Sequence, residues 1–272
     1  MTDIPAARHS PPRPSFMSAQ RAARAILPPL VFCVMVIIAW ELMARTLASP
    51  LVPDVAEVYG ELIRIVPTGT ALQQIGVTLE RIVAGSALAF VAAVCLGLAT
   101  ARNRLLAAFF EPGIILGLTV PGLVWALLCV IWFGVSWRTP IVAIGLGVAP
   151  ALTVSVVQGV RAVDPDLVEM AHVFRIPRSA QLRRLWLPAM VPFLLSGARL
   201  GFSLAWKVIV LVEIFGLSSG VGYQLNSEFS AQNVAGVLAW TIAFGVVMAI
   251  IEYGILQTLE RRLTRWRRAA RV

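Results

Sequence analysis

DPDLVEMAHVFRIPRSAQLRRLWLPAMVPFLLSGARLGFSLAW, residues 164–206, turns from polar to apolar at Leu187-Pro188. Its first part carries Asp164, Asp166 and Glu169, then Arg175, Arg178, Arg183 and Arg184. Apolar segments long enough to cross a bilayer, about 20 residues as a helix, flank it on both sides. Connections between packed helices are normally a few residues long. A long, patterned, basic connection between two spans therefore predicts a surface for docking a partner.

The rest of the chain reads as an integral membrane protein. Of 272 residues, 58% are hydrophobic and only 14% are charged, and the mean hydropathy is +0.82. Soluble domains are about 45–50% apolar and about 25% charged. The net charge of +9 fits arginines collected on cytoplasmic loops. Nucleic-acid binding is disfavoured, because no soluble domain gathers the charge and no aromatic platform interleaves with it. Cys33, Cys95 and Cys129 lie in apolar runs and read as packing residues. His9 and His172 are far apart, and no HExxH, P-loop, GxSxG or clustered-carboxylate pattern occurs. Hence no catalytic residue, no metal site and no means of hydrolysing ATP is expected.

Six spans are predicted, at about 27–47, 77–100, 110–134, 139–160, 189–215 and 234–258. Residues 1–26 are Pro- and Arg-rich and read as a disordered basic tail, and 259–272 as a second basic tail. The six-span domain is 27–258. Arg8, Arg13, Arg21 and Arg24, then Arg102 and Arg104, then the arginines of 161–188 and of the C-terminal tail fall on alternate loops. The positive-inside tendency places these loops and both termini in the cytoplasm.

Within the 161–188 insert, Asp164-Pro165 is a helix start: Asp caps free N–H groups and Pro at the first position loses nothing. Leu167, Met170, Ala171 and Phe174 follow at i, i+3, i+4 and i+7, one apolar face. Arg175-Ile176-Pro177 ends this helix. A second short helix carries Leu182, Leu185 and Trp186 on one face, and Pro188 and Pro192 restart the chain into the fifth span. A helix lying on lipid is the plainer reading; a helix presented to a soluble partner is the sharper one.

Ionisable side chains at membrane depth mark functional candidates. Arg199, Lys207 and Glu213 fall in the fifth span. At about 100° per residue, Lys207 lies about 80° from Arg199, and Glu213 about 40° to its other side. They read as a basic lining for an anionic solute, or as an ion pair or snorkelling groups. Lys207, nearer mid-span, is the better solute-path candidate; Arg199 leans structural or gating. Glu80 and Arg81 read as a pair at the start of the second span, and Glu252 as a packed polar contact. Pro121-Gly122 interrupt the third span and read as a hinge. Gly85, Ser86 and Gly97 read as sites of close helix approach.

The insert resembles the cytoplasmic EAA loop of ABC importer permeases. The family pattern is roughly Glu-Ala-Ala, three residues, Gly, about nine residues, then an apolar residue, any residue and Leu-Pro. This chain supplies Glu169-Met170-Ala171 and Leu187-Pro188, with Arg175 where the Gly is expected. The resemblance extends over SPLVPDVAEVYGELI (49–63), TLERIVAGSALAFVAAVCLGLATA (78–101), GVRAVDPDLVEMA (159–171), the fifth span and LERRLTRWRR (259–268). Together these are similar to the nitrate/sulfonate/taurine branch of binding-protein-dependent permeases. The resemblance implies an all-α, six-helix type I importer fold with a coupling helix between helices 4 and 5. It implies an ATPase-coupling surface at Glu169, Met170, Ala171, Phe174, Arg175, Leu187 and Pro188. It also implies a second permease copy, two ABC ATPase subunits that bind the ATP and Mg, and a periplasmic or lipid-anchored solute-binding protein. No cofactor is expected on this chain itself. The location implied is a bacterial plasma membrane, and the solute a small anion. A self-sufficient secondary transporter or channel is the alternative function, but internal inverted repeats are not evident. A membrane-embedded enzyme would need a reactive constellation that the two remote histidines do not supply.

Overall fold

The computed structural model describes residues 17–258 and 262, apart from 48, 50 and 68, with side chains from residue 27 onward. All regular structure among the described residues is helical. The chain divides into two compact units, 1–57 and 58–272.

In the first unit, α1 spans Met17–Leu47. Its apolar part, Leu27–Leu47, has the bounds of the expected first span, and the helix begins ten residues before it. The cause is the run Met17–Ala25, rich in Ala, Arg and Gln, which are strong helix formers. Residues 1–16 lie outside the described residues, as do the 259–261 and 263–272 parts of the C-terminal tail. After α1 the Trp40 indole N–H donates to the Pro53 carbonyl at 3.0 Å. Asp54 and Glu57 then cap each other's backbone N–H, at 2.8 and 3.3 Å, as a capping box. That box starts α2, Val55–Ile65.

The second unit continues with α3 (Thr70–Arg102), α4 (Arg104–Thr119), α5 (Gly122–Phe133) and α6 (Arg138–Arg161). Then come α7 (Pro165–Val173), α8 (Arg178–Gln181), α9 (Leu187–Gly216), α10 (Val221–Ser230) and α11 (Val234–Ala249). A π-helical turn, Leu182–Trp186, joins α8 to α9, and a second, Ile250–Leu256, extends α11. The centre is α6, packed between α3 and α9. Ile82, Ile144, Val148, Val156 and Ile209 are fully buried there. Gly85 and Gly97 let α3 lie against α6: a Cβ at either would stand 2.6 Å from Ile144 or Val156 side-chain atoms. Close approach through small residues supplies the packing that apolar burial cannot supply between helices in lipid. Gly97→Leu should therefore separate α3 from α6 and cost about 1–3 kcal/mol as overpacking. A lowered melting temperature of the purified protein in detergent checks this; an unchanged one would sink it.

Among the described residues, four helices are long and apolar enough to span a membrane alone: Leu27–Leu47, Thr70–Arg102, Arg138–Arg161 and Val234–Leu256. The number rises to six if two bent pairs each count as one span. In the first pair, α4 and α5 meet at 101°, so the expected third span is broken rather than merely kinked. Val120 is extended (ψ 122°), as a residue before proline tends to be, and Pro121 starts α5 with no N–H to continue α4. In the second pair, Arg178–Gly216 runs into α10 at 50°. Here Pro188 and Pro192 do not restart the chain. The Leu187 N–H bonds five residues back to the Leu182 carbonyl, and this wider turn carries the helix through Pro188.

Candidate functional site

The insert folds as its caps dictate. Asp164 accepts from the Asp166 N–H at 2.9 Å, and Pro165 opens α7. The expected apolar face is split. Ala171 is buried at 4% exposure, whereas Leu167 (43%), Met170 (48%) and Phe174 (73%) face outward, with Glu169 also exposed. Val173, off the predicted stripe, joins them at 70%. These are large apolar side chains on a short helix with nothing over them in the single chain.

Helix α7 ends in a Schellman turn. The Ile176 N–H donates to the Ala171 carbonyl at 2.9 Å and the Arg175 N–H to the His172 carbonyl at 3.0 Å. Arg175 has φ +49°, the left-handed position such turns reserve for glycine. An L side chain there costs about 1–2 kcal/mol. The turn forms all the same, and Gln181 Nε2 steadies it by donating to the Ile176 carbonyl at 2.8 Å. Leu187 is 43% exposed and Pro188 is half-buried.

Glu213, Arg199 and Lys207 are not brought together. Glu213 is fully buried. Arg81 Nη1 donates to its Oε1 at 2.7 Å, Thr78 Oγ1 stands 3.0 Å from both carboxylate oxygens, and the Gly222 N–H donates to Oε2 at 2.9 Å. Arg81 also holds the Ser219 carbonyl at 2.8 Å and the Ser219 hydroxyl at 2.7 Å. The Val221 N–H donates to Thr78 Oγ1 at 2.9 Å and the Gly220 N–H to Gln74 Oε1 at 2.6 Å. The first N–H groups of α10 are thus capped from α3 and α9, a use of side chains that orphan helix donors require. Gly220 has φ +101°, and a Cβ on it would strike the Glu213 carboxylate. Arg81 therefore pairs across helices with Glu213 and not with its neighbour Glu80. A cavity of about 370 Å³ lies beside this clasp, lined in part by Glu80, Arg81, Ser136, Trp137, Ser218 and Ser219.

Arg199 Nε lies 3.5 Å from Glu252 Oε1, and its guanidinium is 6.0 Å from the Tyr253 ring centre. This joins α9 to the π-helical end of α11 and pairs two residues that the sequence treats separately. Lys207 is exposed, with Nζ 5.7 Å from the Trp206 ring centre, a cation–π contact. Among the described residues no carboxylate forms an ion pair with it. It is also the only lysine in the sequence. Gly122, at the start of α5, reaches the same level: a Cβ there would lie 3.1 Å from Val208 Cγ2, one residue beyond Lys207. Outside the spans, the hydrogen bond from Arg64 to Glu61 raises the guanidinium above its usual value. Arg64 also bonds Glu228 at 3.0 Å, tying α2 to α10. Among the described residues no cluster of three or more His, Cys, Asp or Glu could hold a metal.

Residues 85–265 match the family model of the binding-protein-dependent transport system inner membrane component. The chain belongs to this family. SsuC of Bacillus subtilis (strain 168), named for aliphatic sulfonate transport, is 33% identical over 159 residues, 58% of this chain and 57% of that one. The taurine transport system permease protein TauC of Escherichia coli (strain K12) is 30% identical over 235 residues, 84% of each chain. A solved inward-facing structure of the MetNI methionine ABC transporter superposes with a TM-score of 0.62 at 14% identity, covering 71% of this chain and 95% of that one. The permease fold of ABC importers expected from the insert is therefore the fold observed. The matched region takes in α7, Arg175, Lys207 and Glu213; Arg81, the cation of the clasp, falls just outside it.

Proposed function

We propose that this permease forms half of the membrane pathway of an ABC importer for a small organic or inorganic anion, and that a separate ATPase drives it. The carrying observation is α7, whose Leu167, Met170, Val173 and Phe174 stand exposed beside Glu169 on a helix between spans. Exposed apolar clusters of this kind mark docking sites. In this reading Glu169, Met170, Phe174 and Arg175 engage the ATPase, while Ala171, Leu187 and Pro188 fix the loop to the transmembrane helices. ATP and Mg bind to the ATPase, and this chain binds no cofactor and performs no catalysis. The partners are a second permease copy, two ATPase subunits and a solute-binding protein outside a bacterial plasma membrane. Both termini lie in the cytoplasm, and Pro121-Gly122 are the hinge between α4 and α5.

Lys207 is the solute-contacting residue in this proposal. A cation exposed at membrane depth is costly against lipid and stable against a water-filled path, and the names of SsuC and TauC point to sulfonates. Proteoliposomes holding permease and ATPase, given binding protein and ATP, should take up a labelled alkanesulfonate or taurine. Uptake that persists without ATPase and follows an ion gradient would overturn the proposal in favour of a secondary transporter. Lys207→Ala should lower uptake at least ~10-fold, about 1.4 kcal/mol, without lowering assembly. Because Lys207 is the sole lysine, the labelling by a water-soluble amine reagent that Lys207→Ala abolishes, over that of the α-amino group, reports its access to the path. Unaltered uptake by Lys207→Ala would remove it from the path.

A further inference from the structure

We propose that Arg175 selects the ATPase partner by pairing with a carboxylate on that subunit, an inference that rests on α7 being the docking helix. Glycine would close the same Schellman turn without opposing the left-handed backbone, yet a large cation stands there at φ +49°. Gln232 takes the same left-handed place after α10, at φ +57°, so what sets Arg175 apart is its charge, exposed beside the apolar side chains of α7. The guanidinium is exposed and, among the described residues, forms no ion pair. The carboxylates of the loop stand apart from it: Glu169, at the middle of α7, is about 9 Å away along the helix axis and Asp166, in the first turn, about 13 Å.

Helix α7 is consequently bipolar. Asp164 and Asp166 mark its beginning, Glu169 stands at its middle and Arg175 just past its end, with exposed apolar side chains between them. The complementary groove has a basic wall, an apolar floor and an acidic wall. Phe174, 73% exposed beside Arg175, enters that groove together with the cation. Docking therefore removes water from the guanidinium. A charge-assisted pair then forms with an ATPase that carries the acid. An ATPase without it must bury an unpaired cation, which is a penalty against the wrong partner. A cation at a helix C-terminus also complements the macrodipole, so the test must separate partner binding from local helix stability.

The test titrates the ABC ATPase that co-purifies with the permease from native membranes against full-length permease in nanodiscs, at low and high salt. Arg175→Gly relieves the left-handed residue and should fold normally. It should nonetheless bind the ATPase at least ~10-fold more weakly, with a flatter salt dependence. Arg175→Glu should bind more weakly still and be rescued when one groove carboxylate of the ATPase is changed to Lys. Binding of Arg175→Gly that equals or exceeds wild type, or absence of rescue by any groove carboxylate, overturns the proposal. Deleting 169–175 is the control for the reading beneath it. If the deletion abolishes binding and Arg175→Gly does not alter it, docking stands and selection by Arg175 fails. If neither alters binding, the docking reading itself fails.

Discussion

Glu213→Ala should unfold the α10 end of the permease, at a cost of about 3–5 kcal/mol. The substitution leaves the Arg81 guanidinium, only 19% exposed, without its carboxylate. It also frees the Gly222 N–H and deprives Thr78 of an acceptor. Arg81→Ala should be as damaging for the converse reason, a fully buried carboxylate without a cation. A double change to Leu at both positions should be milder than either single change, because it removes both charges together. Thermal melts of the purified protein in detergent, followed by tryptophan fluorescence, measure all three. Wild-type melting of either single variant would show that the clasp contributes nothing. Such a result would also reopen Glu213 as a group that meets solute, because a dispensable pair could part during transport.

Deleting residues 169–175 should abolish association with the ATPase while leaving membrane insertion intact. Insertion follows the apolar spans, none of which includes these residues. In the proposed docking, association draws on Met170, Val173 and Phe174, which are 48%, 70% and 73% exposed in the single chain. Burying a large apolar side chain contributes about 1.5–3 kcal/mol, so losing three removes most of a micromolar affinity of about 8 kcal/mol. Glu169→Lys should have the same direction, because it reverses the exposed charge at the middle of α7. Pull-down of the ATPase from solubilised membranes is the measurement. An undiminished yield with the deletion would refute the docking role of α7.

The two sites differ in how legible they are. Asp164-Pro165 and the Leu167, Met170, Phe174 spacing announce α7, because capping and amphipathic period are local properties of the chain. Pro121 likewise announces a break, since a missing N–H and a displaced preceding residue are local effects. The 101° angle that follows is not local: it depends on how α5 packs against α9 and α6. Arg175 shows the same limit. Its departure from the family glycine is visible in the letters, but its left-handed backbone emerges only from the Schellman bonds that close α7.

The ionisable residues of the spans show it most sharply. Arg199, Lys207 and Glu213 occupy related helical angles and look like one lining. In the structure Glu213 belongs to Arg81, 132 residues away, Arg199 to Glu252, and Lys207 to neither. Hydropathy, charge bias and caps are sums over neighbouring residues, so the letters alone determine the membrane class, the approximate spans and the existence of α7. Which charge is paired and which is left facing outward was settled by the packing of α3, α9 and α11. Desolvation and ion pairing act over about 3–4 Å, and only folding brings residues distant in sequence within that reach.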